Sequence, residues 1–355
     1  MNPLRARYIG YTKGTENHGD EALLWIIRDL LAPEIDVVSS GAEYDLALLG
    51  GGTLINQSPW LIDFFSATLD KAGRGVVFGT GVGDLAFWGN HFERWAPLLN
   101  RCDLVGVRGP DSVALLHQHG VSHAVCVGDP YLWLRCPMER EPIPRRLGVN
   151  LGGTNNSLWG TNDGDLHEYL VDVLRALKAR GWSFVWVSVW SQDLPMIEAV
   201  RARVDPASAP VLDARAQSLE AYSAIAGCEV FLGEKLHGNA MAAIAGVPFL
   251  GLEYQPKVRD FAASLDVAEW IVSTAERNRD ALVERIERLR HRRETVRQQM
   301  VGAREALRDR LAAFTAAVKQ HYAPVGAGAI LDLDAGRPDL APPESLPSES
   351  AGFGG

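Results

Sequence analysis

No apolar run in the 355-residue sequence approaches the roughly 20 residues that a helix needs to cross a bilayer, which argues against a helical membrane protein. Cysteine is scarce. Cys102, Cys126, Cys136 and Cys228 share no close metal-ligand spacing, so they read as reduced thiols of a cytoplasmic protein rather than as a disulfide framework or a zinc site. Positive charge is not in excess either: the formal net charge of −9 argues against a protein that coats nucleic acid. The glycine-rich stretch "GGGTLI" at residues 50–55 lacks both the G-x-G-x-x-G order and the Walker lysine, so neither a dinucleotide site nor a P-loop is indicated. There is no internal repeat with a solenoid period. The start, "MNPLRARYIGYT", runs into a strand pattern and does not read as a signal peptide.

What is present is the profile of a globular protein, with 47% hydrophobic and 22% charged residues. The length is large for one core and predicts two domains with additions. The first half alternates strand and helix. "RYIGYT" precedes a polar turn and the helical spacing of "DEALLWIIRDLLAP", and "YDLALLGGGTLI", "GVVFGTGVGD", "CDLVGVRGPDSVALLHQHG" and "HAVCVGDPYLWL" repeat the design. The proline-rich, charged "CPMEREPIPRR" predicts a linker. A second alternation begins at "LGVNLGGTNNS" and contains "WSFVWVSVW" and "CEVFLGEKLHGNAMAAIAGVPFLGLEY". The expectation is α/β with two Rossmann-like domains, residues 1–136 and 147–272, joined by a linker at 137–146. This layout resembles that of GT-B-type transferases, which bind ligands between the halves. From Ser273 the spacing turns helical to residue 322, Ser273 and Glu276 having capping-box spacing. The arginines among these residues read as a solvated face of a helix packed on the body. The alternative is a basic helix touching an anionic membrane surface. Residues 323–355, rich in Pro, Gly, Ser and acid, are expected to be disordered.

Several loops follow strand ends, where ligands bind in such sheets. Lys235 and His237 stand before a small-residue helix whose first N–H groups, near Gly238 and Asn239, favour an anion. In "TKGTENHGDEALL", Asp20 and Glu21 either cap the helix or accept a proton from a hydroxyl that Asn17 and His18 would orient. Gly51, Gly52 and Thr53 form either a tight turn or a ligand cradle. Arg108 either grips a carboxylate or phosphate in bidentate fashion or forms a surface ion pair. Asp111 and Ser112 read as caps or surface residues. The loop "GGTNNS", with Asn155, could hold phosphate through backbone N–H groups. "HQHGVSH" is metal-like in composition, but it spans a helix end and its turn, and no metal is assigned.

Taken together, "NHGDEALL", "LLGGGTL", "VRGPDS", "VGDP" and "KLHGNAMAAIAGVPFLGLEYQPKV" resemble the polysaccharide pyruvyl transferase family over most of residues 7–260. The resemblance implies a GT-B-like fold and transfer of a pyruvyl group from phosphoenolpyruvate to sugar hydroxyls, giving a ketal, with no cofactor beyond that co-substrate. On it, His237 would be the general acid or would hold the departing phosphate. Arg108, Lys235 and Lys257 would neutralise the donor, with Gly238 and Asn239 beside them. Asp20 and Glu21 would serve the acceptor together with Asn17, His18, Gly51, Gly52, Thr53 and Asn155. Relatives usually carry Arg-Leu-His where this chain has Lys235, Leu236 and His237, and lysine cannot reproduce a two-pronged guanidinium grip. The implied partners are phosphoenolpyruvate and a sugar or glycoconjugate acceptor, lipid-linked or not, at the inner face of a membrane or away from it. No nucleic acid is expected, and a homo-oligomer stays open. Two rival readings remain, a nucleotide-sugar GT-B glycosyltransferase and a diverted homologue that binds an anion without turnover.

Overall fold

The short apolar runs become strands of two parallel sheets in the computed structural model, which describes residues 3–11, 14, 16–40, 43–55, 58–84, 91–136, 138–152 and 163–322. Asn155 and the expected tail at 323–355 lie outside the described residues. The first sheet comprises β1 (Leu4–Ile9), β2 (Ile35–Val38), β3 (Leu46–Leu49), β4 (Gly52–Ile55), β5 (Gly75–Val82), β6 (Leu104–Val107) and β7 (Ala124–Cys126). Its order is β2-β1-β3-β5-β6-β7, with β4 pairing β5, and the pairings are parallel. Between the strands run α1 (His18–Leu31), α2 (Pro59–Ala72), α3 (Phe92–Leu99) and α4 (Pro110–Gln118). β3 and β5 are buried along their whole length, as expected for strands covered by helices on both faces.

The second sheet comprises β8 (Arg146–Asn150), β9 (Ser183–Ser188), β10 (Leu212–Asp213), β11 (Val230–Gly233), β12 (Phe249–Glu253) and β13 (Ile271–Ser273). Its order, β10-β9-β8-β11-β12-β13, is the 3-2-1-4-5-6 winding of a nucleotide-binding sheet. The helices here are α5 (Asp163–Ala179), α6 (Leu194–Val204), α7 (Ser218–Ala226), α8 (Leu236–Ile244) and α9 (Pro256–Ser264). In the first sheet the strand order reverses between β1 and β3, and in the second between β8 and β11. Loops leaving the carboxyl ends of these strands open the crevice where ligands bind in this architecture.

The C-terminal segment is helical and contains the expected long helix, but it is broken once. It forms two helices, α10 (Arg279–His291) and α11 (Arg293–Tyr322), with a break at Arg292. The capping-box pair is not used: Ser273 closes β13, and Asn278 caps α10 by accepting from the Ala281 N–H at 3.0 Å. α11 leaves the second sheet and returns to the first. Phe314 meets Phe78 at 5.5 Å between ring centroids, Lys319 Nζ donates to Ala32 O at 2.7 Å, and Tyr322 Oη donates to Gly75 O at 2.5 Å. Its arginines are not a uniformly solvated face. Arg308 is buried, and Arg304 donates to the Ala243 and Ile244 carbonyls at 3.3 and 2.7 Å. Among the described residues no helix is long and apolar enough to cross a membrane.

Candidate active site

The loops at the two switch points face each other across a cleft of about 260 Å³. From the first lobe it is lined by Tyr11, Asn17, Asp20, Gly52, Thr53 and Arg108, and from the second by Trp190, Lys235, His237, Tyr254, Gln255 and Lys257, among others. The four cationic or imidazole groups singled out in the sequence, Arg108, Lys235, His237 and Lys257, therefore share one cavity.

Arg108 follows β6 and is 1% exposed. It is not a surface ion pair. Its Nη1 donates to Gly52 O at 3.3 Å and to Thr53 Oγ1 at 3.1 Å, and Asp129 and Asp260 lie 4.0 and 3.8 Å from the guanidinium. Nε and Nη2 have no acceptor among the described residues. Gly81 makes room for the group: a Cβ there would lie 2.1 Å from Nη2. Asp260, on α9 of the second lobe, accepts from the Asp111 and Ser112 N–H groups and from Ser112 Oγ at 3.0, 3.1 and 2.7 Å. It thus caps α4 from across the cleft. Ser112 is buried in this contact rather than on the surface.

His237 sits in the first turn of α8, and the α1 backbone presses on its ring. A Cβ on Gly19 would stand 1.9 Å from His237 Cγ, so the glycine of "HGDEA" gives the imidazole its space. Tyr131 packs against the ring at 5.2 Å between centroids, and Nε2 has no partner among the described residues. Lys235, the residue before α8, places Nζ 3.5 Å from Asp193 Oδ1 and 4.8 Å from the centre of the Trp190 ring. Lys257 Nζ lies 5.1 Å over Tyr254. Asn17 caps α1, its Oδ1 accepting from the Gly19 and Asp20 N–H groups at 3.1 and 3.3 Å.

Other expected site residues stand elsewhere. Glu21 Oε1 accepts from the Gly14 and Glu16 N–H groups at 3.0 and 3.1 Å, which ties down the preceding loop. His18 lies edge-on to Tyr131 at 6.0 Å. Gly51 packs against Leu23, and Gly238 against Asn150. Asn239 is fully buried and donates to Gly233 O at 3.1 Å, bracing the β11–α8 turn. None of these five is among the residues that line the cleft. Asn155 lies outside the described residues. The histidines of "HQHGVSH" act locally: His117 and His123 bond the Ala124 and Cys102 carbonyls at 2.9 Å, and His119 stacks on Phe92. Among the described residues no three His, Cys, Asp or Glu side chains gather as a metal-ligand set.

Sequence reasoning passed over Tyr11, Trp190 and Asp193, which have no motif of their own, and Gln255, which lies within the quoted "GLEYQPKV". It also passed over the two aspartates beside Arg108. Asp129 was within reach, since it is the acid of "VGDP". It caps the turn at Pro130–Trp133 by accepting from the Tyr131 N–H at 2.9 Å while facing the guanidinium.

Crowded positive charge sets the protonation states. Burial, reinforced by Lys257, His18 and Arg108, pushes His237 down to about 3, so its ring is neutral near pH 7. Burial and then Lys235 bring Lys257 down to about 7, although Asp20 pulls it upward. Burial raises Asp20 to about 6, with Lys257 opposing the rise. The cleft therefore offers a fixed guanidinium, the Lys235 ammonium, a neutral imidazole, and an amine at Lys257 and a carboxyl at Asp20 that each gain or lose a proton near neutrality. A small, multiply charged anion would relieve the repulsion among the cations, and Asp20 is suited to general acid–base work.

Solved structures of known proteins share this fold at low identity. A UDP-N-acetylglucosamine 2-epimerase homologue from Listeria monocytogenes superposes with a TM-score of 0.58 at 12% identity, covering 91% of this chain and 98% of its own. The S. aureus MnaA-UDP co-structure gives 0.59 at 11% identity with the same coverage. A glycosyltransferase from Rickettsia africae gives 0.55 at 10% identity, again over 91% of this chain and 98% of its own. The two lobes are thus a GT-B-like pair. No curated protein matches the sequence. The sequence profile described as polysaccharide pyruvyl transferase matches residues 9–256, a span that includes both switch points and every residue of the cleft except Lys257. The chain belongs to the polysaccharide pyruvyl transferase family.

Proposed function

We propose that this protein transfers a pyruvyl group from phosphoenolpyruvate to two hydroxyls of a sugar or glycoconjugate, forming a ketal and releasing phosphate. The observation that carries the reading is the convergence of Arg108, Lys235, His237 and Lys257 on one cleft of about 260 Å³. That volume falls below the roughly 300–1,000 Å³ of sites for drug-sized ligands, and it suits a three-carbon enol phosphate. The donor carries a phosphate and a carboxylate, and binding it between Arg108 and Lys257 offsets the cationic repulsion that adds to burial in holding His237 neutral.

The reaction balances as follows. A proton adds to the methylene carbon, turning CH2 into CH3 and leaving cationic character at C2. One acceptor hydroxyl bonds to C2, the C2–O bond to phosphate breaks, and the second hydroxyl closes the ketal. The acceptor gives up two protons; one matches that taken by the methyl group and the other leaves with phosphate. Asp20, raised to about 6, is the base for the attacking hydroxyl. His237 becomes an acid when donor binding raises its proton affinity, and it stabilises the phosphate as it leaves. Glu21 has no part in this scheme, because its carboxylate is engaged by the Gly14 and Glu16 N–H groups.

A nucleotide-sugar transferase is the second reading, favoured by the fold shared with S. aureus MnaA, which was solved with UDP. Melting curves separate the two. Phosphoenolpyruvate is expected to raise the melting temperature and UDP-sugars to leave it unchanged; the opposite pattern would remove the proposal. In turnover with an acceptor glycan, His237→Gln and Lys257→Gln are expected to slow phosphate release by about 10²–10⁴-fold.

A further inference from the structure

A second cationic cavity lies at the other end of α8. His237 stands in the first turn of that helix, whereas Ile244, its last residue, borders a cavity of about 750 Å³. The seven steps from His237 to Ile244, at about 1.5 Å each, place the two sites roughly 10 Å apart along the axis. The cavity is walled by the chain that joins the two sheets and by the first half of α11. These segments contribute Arg135, Arg140, Arg293, Arg297, Arg304 and Arg308, against the four glutamates Glu139, Glu141, Glu294 and Glu305.

We propose that this cavity is a second anion site, which takes a soluble ligand bearing a diphosphate or similarly charged phosphate group. The arginines are not matched one to one by acids. Glu294 is bonded by Arg297 at 2.9 Å, and Glu305 by Arg304 at 2.8 Å and by Arg308 at 3.4 Å. Arg135, Arg140 and Arg293 have no ion pair among the described residues. Arg308 is 4% exposed, held over the Trp133 ring at 5.4 Å, and its Nε and Nη2 have no acceptor among the described residues. Arg293 and Arg304 likewise leave Nε without one. A buried N–H lacking an acceptor is destabilising, and more so when it carries charge. A solvated arginine face would not create that cost. Burial, together with Arg304 and Arg135, lowers the proton affinity of Arg308, so an anion entering here relieves repulsion.

Guanidinium forks match phosphate oxygens two at a time, and six of them around one space suit two linked phosphates better than a single carboxylate. The floor, with Ala226, Ile244, Ala245 and Val247, is apolar and adds no competing charge. Arg304 also holds the terminal carbonyls of α8, so a ligand that engages it acts on the helix that carries His237.

The test is a calorimetric titration of the full chain with inorganic pyrophosphate. Arg135 and Arg140 are exposed, so the double variant Arg135→Gln/Arg140→Gln keeps the core intact. It is expected to weaken pyrophosphate binding about tenfold or more, whereas Lys257→Gln, in the cleft, retains binding at this cavity. Equal affinity in the double variant and the wild type would overturn the proposal, as would complete loss of binding in Lys257→Gln. Co-sedimentation with phosphatidylglycerol vesicles distinguishes the source of the phosphate. Vesicle binding that depends on Arg135 and Arg140, with no pyrophosphate binding, would replace the soluble ligand by a lipid surface and sink the assignment.

Discussion

Lys257 and Asp20 each favour the other's charged form at the centre of the cleft, against burial, which disfavours both. The carboxyl is raised to about 6 and the ammonium lowered to about 7, chiefly by burial in both cases. A base that works ionised and a cation that works charged define a bell, and these two groups make it narrow. The rate of phosphate release at low phosphoenolpyruvate is expected to rise through about pH 6 and fall above about pH 7. Lys257 holds the Asp20 value down, so Lys257→Met should move the acid limb to higher pH and abolish the alkaline limb. A profile of unchanged shape in that variant would show that the pair does not govern turnover. Lys235 precedes α8. Its ammonium is directed by Asp193 and Trp190, and a Cβ on Gly152 would lie 2.5 Å from its Cε. The lysine stem thus fills the space beside that glycine.

At the scale of elements, α9 and α4 belong to different lobes and meet through Asp260, which stands midway along α9 against the first turn of α4. The carboxylate satisfies two of the N–H groups that the first turn of α4 leaves open, and it also takes the Ser112 hydroxyl. Arg108 stands 3.8 Å from the same carboxylate, so one side chain couples the lobes to the principal cation of the cleft. Removing one partner of a buried ion pair typically costs about 3–5 kcal/mol, because the other charge remains buried. Asp260→Ala is expected to lower stability by about that amount in urea denaturation. Ser112→Ala, which removes one hydrogen bond and leaves the charge paired, should cost only about 1–3 kcal/mol. Equal costs would mean that Arg108 does not depend on Asp260. The readings of Asp111 and Ser112 as local caps missed this contact because Asp260 is about 150 residues away.

Across the whole molecule, α11 ties the second sheet back to the first through Phe314, Lys319 and Tyr322, and the cleft lies where the lobes face each other. Closing the cleft buries His237 in its neutral form. Its proton affinity is lowered from about 6.5 in the unfolded chain to about 3 in the folded one, so the unfolded chain binds more protons between those values. Stability from this group is therefore present above about pH 6.5 and is lost as pH falls toward 3. His237→Gln, which cannot take up that proton, should flatten the decline over this window in urea midpoints measured against pH. A parallel decline in the variant and the wild type would place the acid sensitivity elsewhere.

The local content of the sequence determined the elements. Alternating apolar runs and helical spacings, punctuated by Gly and Pro, specified parallel strands and their crossovers, because burial on both faces and 3.6-residue periodicity act within a few residues. Strand ends likewise placed Arg108, Lys235, His237 and Asp20 near ligand-binding loops, since in a doubly wound sheet those loops share one edge. Only tertiary structure decided which of these groups meet, and in what charge state. Gly19 yields to His237, Asp260 steadies Arg108, Glu21 and Asn239 turn to the backbone, and the arginines of α11 gather around a cavity instead of facing water. Such pairings join residues far apart in the chain. Desolvation, which moves His237 and Lys257 so far from their usual values, exists only once the two lobes have excluded water between them.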